Sequence, residues 1–439
     1  MPASPADSAL YRPLFSDDET AALFSDSAEI RAMLLVEGAL ARVQGKLGLI
    51  PDTAAAFIDR SSREVHIDPA ALAAQTAVDG VPVPALVAAF RKAMEAPEHA
   101  QYLHWGATSQ DIMDSALALR LRRLTEIWQA RLRTLAQALG RLAAAHADLP
   151  MAARSYGQVA TPTSFGAMVA GWGQPVLRHH QRLAALAPGL AMVSLGGAAG
   201  TLASMGPQGP AVRAALAHAL HLGDPGHSWH AERDRLGAFA GWMAGLNASL
   251  GKMGEDLILL TQSGIGEVAI AGAGGSSTMP QKQNPVGPSV LVALARQSVA
   301  LAATLQGAAI HRQQRDGAAW FTEWLTLPQL CISTGRAMAL AVDLAGRITP
   351  DALAMDRNMN DDLGLIHAEA LSFALARQMP RPEAQARIKA LCAEAIESAR
   401  PLPALVARDF PGLTVPQSAS LGTAPDEARA FAALTEALT

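Results

Sequence analysis

The chain has 439 residues, of which half are apolar and only 17% are charged. This length predicts two or three domains, and so few charges indicate that part of the surface is covered by other subunits. The net charge of −4 excludes binding to nucleic acid through a general basic excess, although local basic pockets remain compatible with an anionic substrate.

The cysteines and the N-terminal residues bear on the compartment. Cys331 and Cys392 match neither a metal-ligand spacing nor a disulfide framework, and MPASPADSALYRPLF lacks the basic head and apolar core of a signal peptide. Two uncharged stretches, 155–177 and 183–212, are broken by Gly, Pro and polar residues, so no membrane partner is expected. We therefore expect a cytoplasmic protein.

Helical periodicity dominates the chain. From about Asp111 to Ala147 leucines recur every three or four positions, with Arg120, Arg122, Arg123, Arg131 and Arg133 on the opposite face. Such a helix would be about 55 Å long at 1.5 Å per residue, which favours a bundle. Further helices are predicted at about 165–187, 211–222, 231–268, 286–314, 319–347, 361–378 and 382–398.

No run alternates for long enough to predict a strand, so the predicted fold class is all-α. Residues 1–110 combine short helices with loops such as DGVPVP and predict a small N-terminal domain. Residues 111–355 hold the long helices and predict the central bundle. The shorter helices and Pro-rich tail of 356–439 predict a small C-terminal domain.

Three polar segments interrupt the helical pattern. HWGATSQD, from His104 to Asp111, places Thr108 and Ser109 just before the long helix, where hydroxyls and free N–H groups suit a carboxylate; a simple helix cap is the alternative. ARSYGQVATPTSFG, at 153–166, could equally be an ordinary turn. GGSSTMPQKQNP, at 274–285, cannot form a helix and is either a connector or a mobile loop that carries chemistry.

Other motifs are weak. HSWH, at 227–230, has no third ligand at a metal-site spacing, and neither a phosphate-binding loop nor a dinucleotide fingerprint is present. We therefore expect neither a metal nor a cofactor.

Taken together and in order, HWGATSQDIMDSA, ARSYGQVATPTSFG and GGSSTMPQKQNPVGPS resemble the signature segments of the fumarase/aspartase superfamily. The GSSxMPxKxNP element is highly specific, and the resemblance extends over almost the whole chain. It implies a three-domain all-α fold with a long central bundle, and a homotetramer in which three subunits contribute to each active site. Four runs are similar to the lactonising branch of the superfamily: HWGATSQDIMDSA, LGGAAGTLA, WHAERDR and EWLTLPQL.

This resemblance implies a cycloisomerase that converts 3-carboxy-cis,cis-muconate to 4-carboxymuconolactone in protocatechuate degradation (the beta-ketoadipate pathway). One substrate carboxylate would attack the diene while a proton is delivered to the carbon alpha to another. By resemblance, Ser277 is the acid/base and Lys282 the cation that stabilises its alkoxide. The residues expected to bind the tricarboxylate are His104, Thr108, Ser109, Arg154, Tyr156, Gln158, Ser276, Met279, Asn284 and Arg315.

Several alternatives stay open at this point. An adenylosuccinate-type lyase would need histidines where this chain has Tyr156 and Val159. A cycloisomerase of a related substrate such as 3-sulfomuconate would use the same arginines, since both substituents are anions. A non-catalytic member of the superfamily is disfavoured because Ser277, Lys282 and Asn284 are all present. A solvated, purely structural role is the alternative for Arg315.

Overall fold

A computed structural model gives the fold of the chain and describes residues 4–275, 277–360, 363–413 and 420–438. Ser276, which the sequence predicts to bind substrate, lies outside the described residues. Within these ranges the chain is mainly helical, with two small two-stranded sheets, and the predicted all-α class is confirmed.

Seven helices precede the first long one. They are α1 (Arg12–Phe15), α2 (Asp18–Ala22), α3 (Asp26–Lys46), α4 (Asp52–Glu64), α5 (Ala73–Asp79), α6 (Val83–Met94) and α7 (Pro97–Ala100). The middle of the chain forms α8 (Ser109–Ala145), α9 (Phe165–Leu190), α10 (Gly209–Leu220), α11 (Asp234–Leu260), α12 (Val286–Gly307) and α13 (Gly317–Ala345). Shorter helices follow: α14 (Ala352–Met359), α15 (Ala368–Leu375), α16 (Arg381–Ser398), α17 (Leu402–Asp409) and α18 (Ala424–Glu436).

The prediction that no strand occurs is wrong at 150–164. There β1 (Pro150–Ser155) and β2 (Gln158–Ser164) form an antiparallel hairpin in which Ser155 pairs with Gln158. The two residues between them, Tyr156 and Gly157, both have positive φ, as a type I′ hairpin turn requires. A second antiparallel pair joins β3 (Val268–Ile270) to β4 (Ile348–Pro350).

The predicted long helices exist, but two end earlier than expected. The helix predicted at 231–268 stops at Leu260, and Gly264 and Gly266, both with positive φ, turn the chain into β3. The helix predicted at 286–314 stops at Gly307. The segment that follows therefore becomes a loop, and this loop carries Arg315.

The described residues divide into two compact units, each built from three separate stretches. The first comprises Met1–Arg131, His179–Ala248 and Leu294–Ala339; the second comprises Leu132–Arg178, Ser249–Ala293 and Leu340–Thr439. This division differs from the boundaries predicted near residues 110 and 355, which stay a prediction.

The first unit has a large apolar core. Side chains of α3, α6 and α10, such as Met33, Phe90 and Leu216, are fully buried in it. An aromatic group of Trp128, Phe239 and Trp242 stacks elsewhere in the unit, with ring centroids 5.7–5.8 Å apart. Ile112, Met113 and Ala116, near the start of α8, belong to the apolar core, so the neighbouring polar groups lie on closely packed side chains.

The second unit contains close helix contacts and a separate C-terminal cluster. Gly173 on α9 lies directly against the Phe431 ring of α18, so that a methyl group there would clash. Leu371, Leu391 and Leu405 belong to the apolar cluster formed by α15, α16 and α17.

One helix among the described residues, Val286–Gly307, is long and apolar enough by length and composition to cross a membrane. Core helices of soluble proteins often share this property. In its most apolar window only 39% of the residues are buried within the single chain, so much of an apolar surface is left uncovered.

Candidate active site

The start of α8 brings together a hydroxyl and a guanidinium. Thr108 directly precedes the first helical residue, Ser109, and its backbone N–H donates to Asp111 Oδ2 at 2.9 Å. From the loop before α13, Arg315 Nη1 donates to Thr108 Oγ1 at 2.7 Å. A helix N-terminus, a hydroxyl and an exposed arginine at one place suit a substrate carboxylate.

Asp111 holds this region in shape. Besides Thr108, it accepts hydrogen bonds from the backbone N–H groups of Gly196 and Gly197, at 2.7 and 2.9 Å, and contacts His230 Nε2 at 2.7 Å. Asp111 and His230 are both buried. These contacts explain why the LGGAAG run has glycines at 196 and 197. Their backbone N–H groups lie close to the Asp111 carboxylate, and Gly197 has φ +69, which favours glycine.

His104 is paired with a buried carboxylate that the sequence analysis missed. Its Nδ1 lies 2.6 Å from Glu37 Oε1, and Glu37 is only 1% exposed. Burial lowers the pKa of His104, but the charge and hydrogen bond of Glu37 together raise it by more, so the net pKa lies above its ordinary value. With Nδ1 bound to Glu37, Nε2 is the ring nitrogen left for a ligand.

The backbone on both sides of His104 is fixed by side chains. Arg91 Nη2 donates to the Leu103 carbonyl at 3.0 Å, and Gln44 Nε2 donates to the Trp105 carbonyl at 2.7 Å. His104 itself has φ +64, a conformation that non-glycine residues adopt only when their surroundings impose it. The imidazole is therefore held in place before any ligand binds.

A fully buried ion-pair triad lies one turn further along α8. Arg233 pairs with both oxygens of Asp114 at 2.8 and 3.0 Å, and with both oxygens of Glu323 at 2.6 and 2.9 Å. Burial lowers the pKa of Arg233, but the two carboxylates raise it by more, so it stays charged. Gln110 Nε2 links the triad to the start of α8 by donating to Asp114 Oδ2 and to the His230 carbonyl.

His311, in the same loop as Arg315, has a different environment. Both of its ring nitrogens are buried and lack a hydrogen-bond partner among the described residues. Burial and the nearby Arg233 charge lower its pKa. A neutral imidazole therefore lies close to the triad.

In the second unit, the β1–β2 hairpin carries three of the predicted residues. Arg154 pairs with Glu267, Nη1 to Oε2 at 2.8 Å and Nη2 to Oε1 at 2.7 Å, and Asn358 Nδ2 also donates to Glu267 at 2.9 Å. A substrate carboxylate would have to compete with Glu267 for Arg154. Tyr156 and Gln158, at the hairpin tip, are exposed, so they are presented outward.

The signature loop, residues 274–285, is closed at its base. Gly274 and Asn284 exchange two backbone hydrogen bonds of 3.0 and 2.7 Å, and Asn284 Nδ2 reaches the Gly275 carbonyl at 3.5 Å. Beyond this base Ser277 and Lys282 are exposed, and Met279 is 42% exposed. Ser277 and Lys282 therefore lie on an exposed loop whose two ends are joined by backbone hydrogen bonds.

The predicted residues thus fall into two groups. His104, Thr108, Ser109 and Arg315 belong to the first unit, where they surround the start of α8. Arg154, Tyr156, Gln158, Ser277, Met279, Lys282 and Asn284 belong to the second unit. No group of three His, Cys, Asp or Glu side chains in the described part of the chain is placed to hold a metal ion.

Comparisons with known proteins give a consistent result. A sequence model of the lyase family matches residues 14–299. The chain is 42% identical to the 3-carboxy-cis,cis-muconate cycloisomerase of Pseudomonas aeruginosa, over 91% of this chain and 88% of that protein. It is 39% identical to the enzyme of the same name from Pseudomonas putida, over 91% and 96%.

Solved structures agree with the sequence comparison. The crystal structure of the 3-carboxy-cis,cis-muconate lactonizing enzyme from Pseudomonas putida superposes with a TM-score of 0.91 at 36% identity, covering 98% of this chain and 99% of the other.

Proposed function

The chain belongs to the lyase family within the fumarase/aspartase superfamily, and we propose that it is a cycloisomerase that converts 3-carboxy-cis,cis-muconate to 4-carboxymuconolactone. The 42%-identical relative and the superposed lactonizing enzyme support this activity over nearly the full chain.

The observation that carries the proposal is the contact between Arg315 and Thr108 at the start of α8. Together with His104, whose pKa is raised by the charge and hydrogen bond of Glu37, it forms a receptor for substrate carboxylates. A tricarboxylate needs several such donors, because each carboxylate leaves water on binding. When one carboxylate attacks the diene, extra negative charge develops on the carboxylate attached to the carbon that will receive the proton. Fixed hydrogen-bond donors stabilise this charge.

For the chemistry we assign Ser277 as the proton donor. Lys282 is the cation that stabilises the Ser277 alkoxide left after proton transfer. Their exposure at the tip of the signature loop is consistent with closure over a bound anion. The attacking carboxylate forms the new C–O bond, and the proton from Ser277 forms the C–H bond at the alpha carbon. Solvent then returns the proton to Ser277.

The hairpin tip argues against an adenylosuccinate-type lyase. That chemistry requires an imidazole to protonate a leaving nitrogen, whereas the tip presents Tyr156 and Val159. An attacking or leaving carboxylate needs no such acid. The exposed side chains at these two positions therefore fit lactonisation.

We further propose a cytoplasmic homotetramer with shared active sites. Apolar side chains exposed on the long helices support an interface, among them Leu259 at 54%, Val299 at 57% and Leu325 at 70% exposure. The outward-pointing Tyr156 supports the idea that the hairpin enters a neighbour's site. Analytical ultracentrifugation of the wild type and Val299→Lys tests this: the variant should dissociate, and a monomeric wild type would contradict the proposal.

The function is tested by following ultraviolet absorbance of purified protein mixed with 3-carboxy-cis,cis-muconate. Loss of the diene band, with the lactone identified by mass and NMR, is expected. Parallel cuvettes hold adenylosuccinate and 3-sulfomuconate. Cleavage of adenylosuccinate without turnover of either muconate would overturn the assignment, and faster turnover of the sulfonate would correct the substrate.

Mixed tetramers test the sharing of sites. Ser277→Ala and Arg315→Met subunits, each assayed alone at a substrate concentration where its activity is low, are unfolded together, refolded and assayed again. Partial return of activity is expected, because some sites then draw an intact loop and an intact Arg315 from different subunits. If every site uses one chain only, the refolded mixture is no more active than the two variants assayed separately.

A further inference from the structure

The first unit contains a cavity of about 370 Å³ that the proposed reaction does not use. Its volume lies in the range of small-molecule sites. The walls come from α3, α5, α8 and α13 and from the turns beside α3 and α5, and they are mainly apolar, with Met33, Leu72, Leu117, Trp320, Trp324 and Leu327 among them. The rings of Trp320 and Trp324 meet edge to face with centroids 4.6 Å apart, which makes an aromatic wall.

Arg120 lines this cavity and is poorly satisfied. The sequence pattern put it on the solvent-facing side of α8 with other arginines, but its side chain is only 10% exposed. Its polar contacts among the described residues are long: 3.4 Å to the Ala116 and Leu23 carbonyls and 3.6 Å to Glu29 Oε2. Its guanidinium also lies over the Phe24 ring, 5.8 Å from the ring centroid. By contrast, the buried Arg233 makes contacts of 2.6–3.0 Å. Arg120 thus has donor capacity to offer.

Arg120 lines the cavity together with four carboxylates, so a bound anion would have to sit on the Arg120 guanidinium. Asp114 and Glu323 also line it, but both are bound to Arg233. Asp26 is exposed, and the Glu29 side chain is 32% exposed. A ligand carboxylate could replace the long contact of Glu29, which would turn to solvent.

We propose that this cavity is a second ligand site, which binds a small aromatic carboxylate with its ring against Trp320 and Trp324 and its carboxylate on Arg120. The site is separate from the substrate receptor. Arg120 follows Thr108 by twelve residues, about 18 Å along the axis of α8 at 1.5 Å per residue.

The cavity wall is connected to the substrate receptor by hydrogen bonds. Asp114 and Glu323, in the cavity wall, form ion pairs with Arg233. Gln110 Nε2 donates to Asp114 and to the His230 carbonyl. The His230 ring in turn contacts Asp111, which accepts a hydrogen bond from the backbone N–H of Thr108. A ligand that shifts this wall would therefore alter the position of Thr108. Occupancy should modulate turnover without competing for the substrate.

Benzoate is the probe that tests the proposal, with benzyl alcohol as its uncharged counterpart. Calorimetric titration of the full-length protein should give one benzoate per chain and much weaker binding of benzyl alcohol. Arg120→Met should weaken benzoate binding at least tenfold. Its matched control is Arg123→Met, an arginine of the same helix whose side chain is 61% exposed, which should bind as the wild type does.

Two further variants keep the test decisive. Ala73→Trp, at an exposed cavity position on α5, is designed to fill the space with its indole ring while Arg120 is kept, and it should abolish binding even if Arg120→Met folds poorly. Arg315→Met, which impairs the substrate receptor, should leave benzoate binding unchanged. Benzoate binding that disappears with Arg315→Met but survives Arg120→Met and Ala73→Trp, or no binding at all, would overturn the proposal. Since binding needs no turnover, either result leaves the proposed reaction untouched.

Discussion

Around Thr108 the polar side chains are bound to one another within the first unit, whereas Ser277 and Lys282 stand exposed at the tip of a loop in the second. Asp111 contacts four groups at 2.7–2.9 Å, and His104 is fixed by Glu37 at 2.6 Å. The signature loop is held by backbone bonds at its base, between Gly274 and Asn284. The groups around Thr108 are thus held in place before a ligand binds, whereas Ser277 and Lys282, in the proposed catalytic loop, are left uncovered.

The difference between the two regions matches two requirements of the proposed reaction: binding of carboxylates by fixed donors, and a loop that opens and closes. A receptor for several carboxylates must have its donors oriented before the anion arrives, since reorientation would weaken binding. A loop that admits the substrate and then excludes water must be able to open. Substitutions in the first region should therefore affect folding or binding, and those in the loop should affect turnover.

The largest effect is expected for Arg233→Met. The variant leaves Asp114 and Glu323 buried without their cation, and removal of one partner from a buried ion pair typically destabilises a protein by about 3–5 kcal/mol. Thermal melting and soluble yield should both fall. Arg408→Met, which removes an exposed ion pair, is the control and should melt like the wild type. Unchanged melting of Arg233→Met would show that the triad is dispensable.

Ser277→Ala should lower kcat by about 10²–10⁴, the usual contribution of a positioned acid or base, with little change in melting temperature. The exposed position of Ser277 is the reason to expect no loss of stability. Steady-state kinetics with 3-carboxy-cis,cis-muconate measure the effect. Ser289→Ala, which removes another exposed hydroxyl near the loop, serves as control. Near-normal turnover in Ser277→Ala would show that another residue is the proton donor.

Arg315→Met should reduce kcat/KM about tenfold to a hundredfold, mainly through KM. Hydrogen bonds to charged groups contribute about 1.5–3 kcal/mol, and Thr108 would lose its guanidinium partner. Arg312→Met removes the same charge three residues away, where the arginine pairs with Asp316, and tests for a general electrostatic effect. Equal losses in both variants would mean that Arg315 has no specific contact with substrate.

The smallest effect is expected for Glu37→Gln, as a shift in pH dependence. Since the folded-state pKa of His104 is raised, its cationic form persists to higher pH, and KM should increase as the pH rises through that pKa. The stability that the His104–Glu37 pair adds to the fold is fully present below the ordinary pKa of histidine, and it is lost as the pH rises through the raised pKa of His104. In Glu37→Gln the increase in KM should begin at lower pH, and Glu37→Asp should restore part of the shift. Identical profiles would contradict this role of Glu37.

Much of the fold could be predicted from the sequence. The leucine period of α8 predicted a helix at about 111–147, and Ser109–Ala145 is observed. The hairpin at 150–164 was missed because its turn, Tyr156–Gly157, lacks the usual Asn-Gly or Asp-Gly signal and its strands do not alternate clearly. Thr108 and Arg315, separated by 207 positions, were both candidates, but no pattern indicated that they touch.

Helical period and helix-breaking residues act over a few neighbouring positions, so most helices and the polar breaks between them could be predicted from local sequence. The sequence also specified the chemical groups that these segments carry. Their partners became visible in the folded chain alone: Glu37 for His104, Glu267 for Arg154, and a cavity rather than solvent for Arg120. Such pairings depend on how distant elements pack and on which charges lose their water, and local sequence does not encode either.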